Sequence, residues 1–206
     1  NHKNPLHFYN LALSLNKRYQ LNGAKEDLFN CINLLEEVIV LIPEAHLSLN
    51  NLAAAYGQRY ELLGNSEDVE KSIELMEKVF AIRPNDPNAM NNLANAIGQR
   101  YSISGELKDL YRCIDLMDLA VQLDPENPVY KITLANAIGD RFKLYGVEND
   151  LEKQIMLLEQ AYEKEPENPA YMNNLSTSLG KRYELKGDIE DMERAIELLE
   201  TALKKL

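Results

Sequence analysis

The chain has 206 residues, 45% of them hydrophobic and 27% charged, with 33 acidic against 22 basic side chains and a formal net charge of -11. That acidic balance and a pI near 4.8 argue against nucleic acid and against an anionic membrane surface as partners, since both require clustered Lys and Arg. No run of about 18 apolar residues exists to cross a bilayer, and the N-terminal NHKNPLHFYN lacks the apolar stretch of a secretion signal. The first residue is Asn rather than Met, which fits a piece of a longer chain.

Taken in order, the sequence is one unit written five times. Gly23, Gly64, Gly105, Gly146 and Gly187 fall 41 residues apart with no insertion or deletion, and a period this strict is the signature of a repeat architecture. Upstream of each glycine stand a leucine (Leu11, Leu52, Leu93, Leu134, Leu175) and an arginine (Arg18, Arg59, Arg100, Arg141, Arg182). Downstream come an aspartate (Asp27, Asp68, Asp109, Asp150, Asp191), an isoleucine (Ile32, Ile73, Ile114, Ile155, Ile196) and a helix-ending proline. All eight prolines and the other four glycines keep the period, so nothing is left over for a separate domain. The expected organisation is a single array over 1–206, with units near 5–45, 46–86, 87–127, 128–168 and 169–206.

Each unit reads as two antiparallel helices. In the third, helix A is expected from just after Pro87 to Ser104, with Gly105 as the left-handed cap. Met90, Leu93, Ala94, Ile97 and Tyr101 recur at i, i+3, i+4, i+7 and make one buried face. Helix B is expected to open near Lys108 or Asp109, with Asp109 as its cap or at the positive end of its dipole, and to stop before Pro125. The fifth copy repeats helix B with Met192, Ala195, Ile196, Leu199, Ala202, Leu203 and Leu206, and Met192, Ile196, Leu199 and Leu203 are expected to be partly covered by something beyond this chain. Gly57, Gly98, Gly139 and Gly180 lie inside helix A, where each costs about 1 kcal/mol relative to Ala, and close approach of a neighbouring helix is the expected compensation. Cys31 and Cys113 share one repeat position two units apart, too far for a disulfide, whose Cα atoms lie within about 7 Å. They read as small packing residues in a reducing, cytoplasmic compartment.

The order Leu93, Ala94, Ile97, Gly105, Cys113, Met117, Ala120, Pro125 resembles the tetratricopeptide repeat over the whole chain. The resemblance implies an all-α, right-handed solenoid of five helix hairpins. The unit is longer than usual for that family, which predicts about one extra turn in helix A and about three residues between the glycine and helix B. The glycine-to-aspartate spacing, as in GVENDLEKQI, also resembles the Sel1-like repeat.

Catalytic signatures are missing from the sequence. His2, His7 and His46 have neither metal-site nor catalytic spacing, and no phosphate loop, nucleophile elbow or HExxH occurs. No enzyme activity, metal or cofactor is expected. The recurring Arg and Asp read as a structural pair that fixes the hairpin angle, and Glu36, Glu77, Asp118, Glu159 and Glu200 as a solvated face of helix B.

Asparagine is the residue that needs a reason, because it is a mediocre helix former. Before the leucine stand Asn10, Asn51, Asn92, Thr133 and Asn174; one residue earlier come Asn50, Asn91 and Asn173; two after the leucine come Asn95 and Asn136. In the tetratricopeptide register these residues line the concave groove, and Asn92, Asn95, Gln99 and Ser102 form one stripe. Two readings stand. The amides hold the backbone of an extended protein or peptide segment, or they bond neighbouring helices and set the pitch. Ile132, Thr133, Lys131 and Asp140 give the fourth copy a different character. The carboxylate-clamp variety of the family holds an acidic tail with groove Lys and Arg; here those positions are mainly Asn and Ala, with Lys17, Lys181 and Lys143, so chaperone-tail binding is not expected. The sequence therefore points to a non-catalytic protein-interaction module. The alternatives are a regulatory scaffold within a larger signalling or defence enzyme, and a self-associating array that uses its terminal repeats.

Overall fold

The computed structural model describes residues 4–205; His2 and Leu206 lie outside them. Ten α-helices follow one another among the described residues: α1 Pro5–Asn22, α2 Lys25–Leu41, α3 His46–Leu63, α4 Ser66–Ile82, α5 Pro87–Ser104, α6 Leu107–Leu123, α7 Pro128–Tyr145, α8 Glu148–Lys164, α9 Pro169–Lys186 and α10 Ile189–Leu203. The chain divides into two units, Asn1–Gly105 with α1 to α5 and Glu106–Leu206 with α6 to α10.

The boundaries follow from local chemistry. Proline occupies the first turn of α1, α5, α7 and α9, where its missing N–H breaks no bond, and Asn4, Asp86, Asn127 and Asn168 cap those helices by accepting from a first-turn N–H at 3.0 to 3.1 Å. Each A helix ends at a glycine in the left-handed region, such as Gly105 at φ 69°, whose N–H closes on the Tyr101 carbonyl at 2.8 Å. The expected limits of α5 are met, and α6 opens one residue before Lys108. The extra length sits only partly where expected. One residue, not three, separates each glycine from helix B, and the long period is absorbed by A helices of 18 residues and B helices of 17, with 15 in α10.

Within a hairpin, α1 packs on α2, α3 on α4, α7 on α8 and α9 on α10; between hairpins, each B helix receives the next A helix, as α2 receives α3 and α8 receives α9. The exposure of the signature leucine follows whether an A helix has that second contact. Leu52, Leu93, Leu134 and Leu175 are all buried, whereas Leu11, before which no B helix stands among the described residues, is 51% exposed. The opposite face shows the same rule: Ile155 is 2% exposed and Ile196 on α10 is 50% exposed.

The recurring Arg and Asp form the expected pair. In copies one, two, four and five the guanidinium donates through Nε and Nη2 to both oxygens of the aspartate nine residues later, at 2.5 to 2.9 Å. The aspartate is therefore no cap. The cap position holds Ala24, Asn65, Glu106, Val147 and Asp188, and the aspartate three residues on is buried in the first turn, where the helix dipole still favours its charge. A second tie runs backwards: Arg182 Nη1 also donates to Glu152 of α8 at 2.9 Å, and Arg100 Nη1 to Glu70 of α4 at 2.8 Å.

The glycines inside helix A do not share one cause. A Cβ on Gly139 would lie 2.3 Å from Gln154 Nε2, because Gln154 fills space that Ser72 or Ala195 leaves open in other copies. A Cβ on Gly57 would meet only Gln99 Oε1 at 3.8 Å, and on Gly180 nothing within 4 Å. Helix approach thus explains neither Gly57 nor Gly180, and the crowding at Gly139 comes from one side chain. Gly180→Ala should accordingly stabilise by about 0.5 to 1 kcal/mol through helix propensity. Gly139→Ala should fail to stabilise unless Gln154→Ala accompanies it, as urea unfolding of the three variants would show.

Candidate functional site

The asparagine stripe of the first unit walls a cavity. It has a volume of about 480 Å³, with Asn50, Gly57, Gln58 and Glu61 on α3, Asn92, Asn95 and Gln99 on α5, and the buried Ser72 and Met76 of α4 at its base. Residues 50, 54, 57, 58 and 61 fall on one face of α3 by their spacing, and the small Ala53, Ala54 and Gly57 leave the space between the two A helices unfilled.

Three of the expected site amides, Asn50, Asn51 and Asn92, take part in two bonds between neighbouring A helices. Asn92 Nδ2 donates to Asn50 Oδ1 at 2.8 Å, and Asn51 Nδ2 donates to the Tyr9 hydroxyl at 3.0 Å. Both bonds link a residue to the one 42 positions earlier. The same step back from Asn174 arrives at Ile132, which has no side-chain acceptor. The packing role of the asparagines is therefore real at Asn50, Asn51 and Asn92. The other expected residues divide by exposure: Asn91 is buried, Gln99 and Asn174 are half-buried, and Asn95, Asn136 and Asn173 are exposed. Among the described residues no hydrogen bond holds the side chains of Asn95, Gln99, Asn136, Asn173 or Asn174. The structure brings Asn50, Asn92, Asn95 and Gln99 to one cavity.

Gln58 and Glu61 belong to this wall and were not singled out from the sequence. The signal was present, because they stand one period before Gln99 and Ser102 of the stripe. In the fourth copy the same two positions are Asp140 and Lys143, which pair with each other at 2.7 Å, and Lys131, only 7% exposed, sits at a core position that is Met90 one period earlier.

Beside the cavity, Tyr56 donates to Glu36 while the Arg59 guanidinium lies 5.0 Å from its ring centre. Burial, and then the hydrogen bond to Glu36, raises the phenol above its ordinary range, so Tyr56 remains a donor. Glu36 is thus more than a solvated residue, as is Asp118, which Lys153 reaches at 2.9 Å. Burial pushes the Cys31 thiol up to about 11, away from the reactive thiolate, and Cys31 and Cys113 are both buried and outside any disulfide. Among the described residues no group of three or more His, Cys, Asp or Glu is placed to hold a metal ion, and no helix is long and apolar enough to cross a membrane. The cavity presents amide donors and acceptors, one carboxylate and a short apolar base, a set suited to holding a chain segment.

A sequence model of the tetratricopeptide repeat matches residues 47–88 and 170–205. No curated protein matches the sequence. Solved structures share the fold at low identity. MamA from Desulfovibrio magneticus, solved from residue 41 to its end, is 17% identical with a TM-score of 0.62, covering 94% of this chain and 94% of that one. A thermophilic tetratricopeptide protein of Thermus thermophilus is 17% identical with a TM-score of 0.62, covering 95% of this chain and 99% of that one. YrrB, a tetratricopeptide protein with an unusual peptide-binding site, is 14% identical with a TM-score of 0.60, covering all of this chain and 88% of that one.

Proposed function

We propose that this chain, which matches the tetratricopeptide-repeat model over residues 47–88 and 170–205 and shares the fold of solved tetratricopeptide proteins, is a non-catalytic interaction module that holds an extended segment of another protein against the asparagine-lined faces of its A helices. The observation that carries this reading is the cavity between α3 and α5, where Asn95 and Gln99 keep unengaged amides beside the paired Asn50 and Asn92. An amide donates and accepts at once, so a row of them satisfies a peptide backbone with little demand on its side chains. YrrB, which shares the fold and has a peptide-binding site, supports the same reading.

The test is the variant Asn51→Ala, Asn92→Ala, Asn95→Ala, Asn136→Ala. It removes the two inter-helix hydrogen bonds made by Asn51 and Asn92, a loss of about 1 kcal/mol each. Four Asn-to-Ala changes return up to about 0.7 kcal/mol each in helix propensity. The terms nearly cancel, so helicity and melting should hold while capture of a partner from the source lysate falls at least about tenfold. Equal capture by both proteins would assign the asparagines to packing.

A further inference from the structure

The cavity between α3 and α5 is not neutral in what it asks of a ligand. Gln58 Oε1 is shut off from solvent and accepts from no donor, and a buried acceptor left in that state costs about 1 to 3 kcal/mol. Among the described residues no hydrogen bond anchors the rest of that amide, so rotation toward the cavity it lines would relieve the cost wherever a donor waits. One helical turn on, Glu61 stands exposed at the same wall, with no ion-pair partner among the described residues. The opposite wall adds Gln99 and Asn95. Across the space no Lys or Arg lines the cavity. The internal repeats show that this is particular to the second copy: the matching pair is Lys17 and Gln20 in the first, and in the fourth Asp140 with Lys143, already neutralised by each other.

From this geometry, and resting on the interaction module proposed above, we infer that the α3–α5 cavity is a pocket for a cationic side chain, the Lys or Arg of the bound segment. Its charged head donates to Glu61 and to the Gln58 and Gln99 amide oxygens. Its aliphatic stem runs over Ala54 and Met76, apolar surface that long basic side chains commonly cover. A volume of about 480 Å³ leaves room for either head group. The net charge of -11 draws basic segments toward the chain in general, and Glu61 with Gln58 supplies the local selection.

The test is an NMR titration of the full chain with acetylated, amidated Ser/Ala octapeptides that carry one central Arg, Lys, norleucine or Glu. Arg and Lys peptides should bind at least about tenfold tighter than the other two, with shifts centred on residues 54–61 and 92–99. Glu61→Gln should remove most of that preference, and Gln58→Leu part of it. Glu184→Gln, at the same repeat position in the fifth copy, should leave it intact, which separates a pocket from diffuse attraction. Circular dichroism establishes that each variant folds, and Glu61 and Glu184 are both exposed. Equal binding of all four peptides, weakened in the four-asparagine variant, would overturn the cationic pocket and leave the interaction module standing. An Arg preference lost equally in Glu61→Gln and Glu184→Gln would reduce the effect to net charge. Absence of binding by every peptide would count against both readings.

Discussion

Arg59→Met should destabilise the chain by about 3 kcal/mol, although Met keeps most of the side-chain length. The Asp68 side chain is 1% exposed and its two oxygens are held by Arg59 Nε and Nη2 at 2.8 and 2.6 Å. Removing the guanidinium strands a buried carboxylate, which is far more costly than the pair is stabilising. Because the loss is that of an orphaned charge, Arg59→Met with Asp68→Leu should recover most of it, and urea unfolding of the single and double variants reads the difference directly. If both variants lost the same stability, the guanidinium's contact with the Tyr56 ring would outweigh the pair. The same pairing predicts the acid limit of the last hairpin. Hydrogen bonds from Arg182, offset by burial, hold the Asp191 carboxyl below its usual range. A carboxylate depressed in the folded state stabilises above the unfolded value of about 3.9 and loses that contribution as pH falls through the lower folded value. The α9–α10 hairpin should therefore keep this stabilisation at neutral pH and yield it only below about pH 4.

Leu134→Ala should lower stability by about 2 to 5 kcal/mol, and Leu11→Ala by less than about 1 kcal/mol. Both are the signature leucine of an A helix. Leu134 is 1% exposed where α7 meets α6, while Leu11 is 51% exposed on α1. In a repeat array most stability lies in the contacts between neighbours, so one substitution at the same register of two copies separates that interface energy from the intrinsic propensity of the helix, which is the same in both. Similar losses at the two sites, measured by denaturant unfolding, would mean that the hairpins are stable without their neighbours.

The fold was legible because its punctuation is local. A proline in the first turn and a glycine at the left-handed cap act within four or five residues, and they placed α5 at Pro87–Ser104. What lay beyond the sequence was set by partners distant along the chain. An aspartate near a helix start reads as a cap, yet Asp68 is claimed by an arginine nine residues upstream, and its burial decides the matter. Gly139 and Gly180 look identical in register, and only the bulk of Gln154 separates them. The asparagine positions were legible, but their bonds depend on the residue 42 positions earlier: Asn92 finds Asn50, and the same step from Asn174 arrives at Ile132. Gln58 and Glu61 are harder to see in the sequence because the wall is a stripe of position, which asparagine as a residue type only partly marks.

The central claim is that these amides serve a ligand as well as the stack. Its most direct test is one titration of the captured partner against the intact chain and the four-asparagine variant, with the melting of both followed on the same samples. Melting within a few degrees and a Kd raised at least about tenfold is the predicted result. An unchanged Kd, with melting lowered instead, would contradict it and leave the asparagines as packing residues alone.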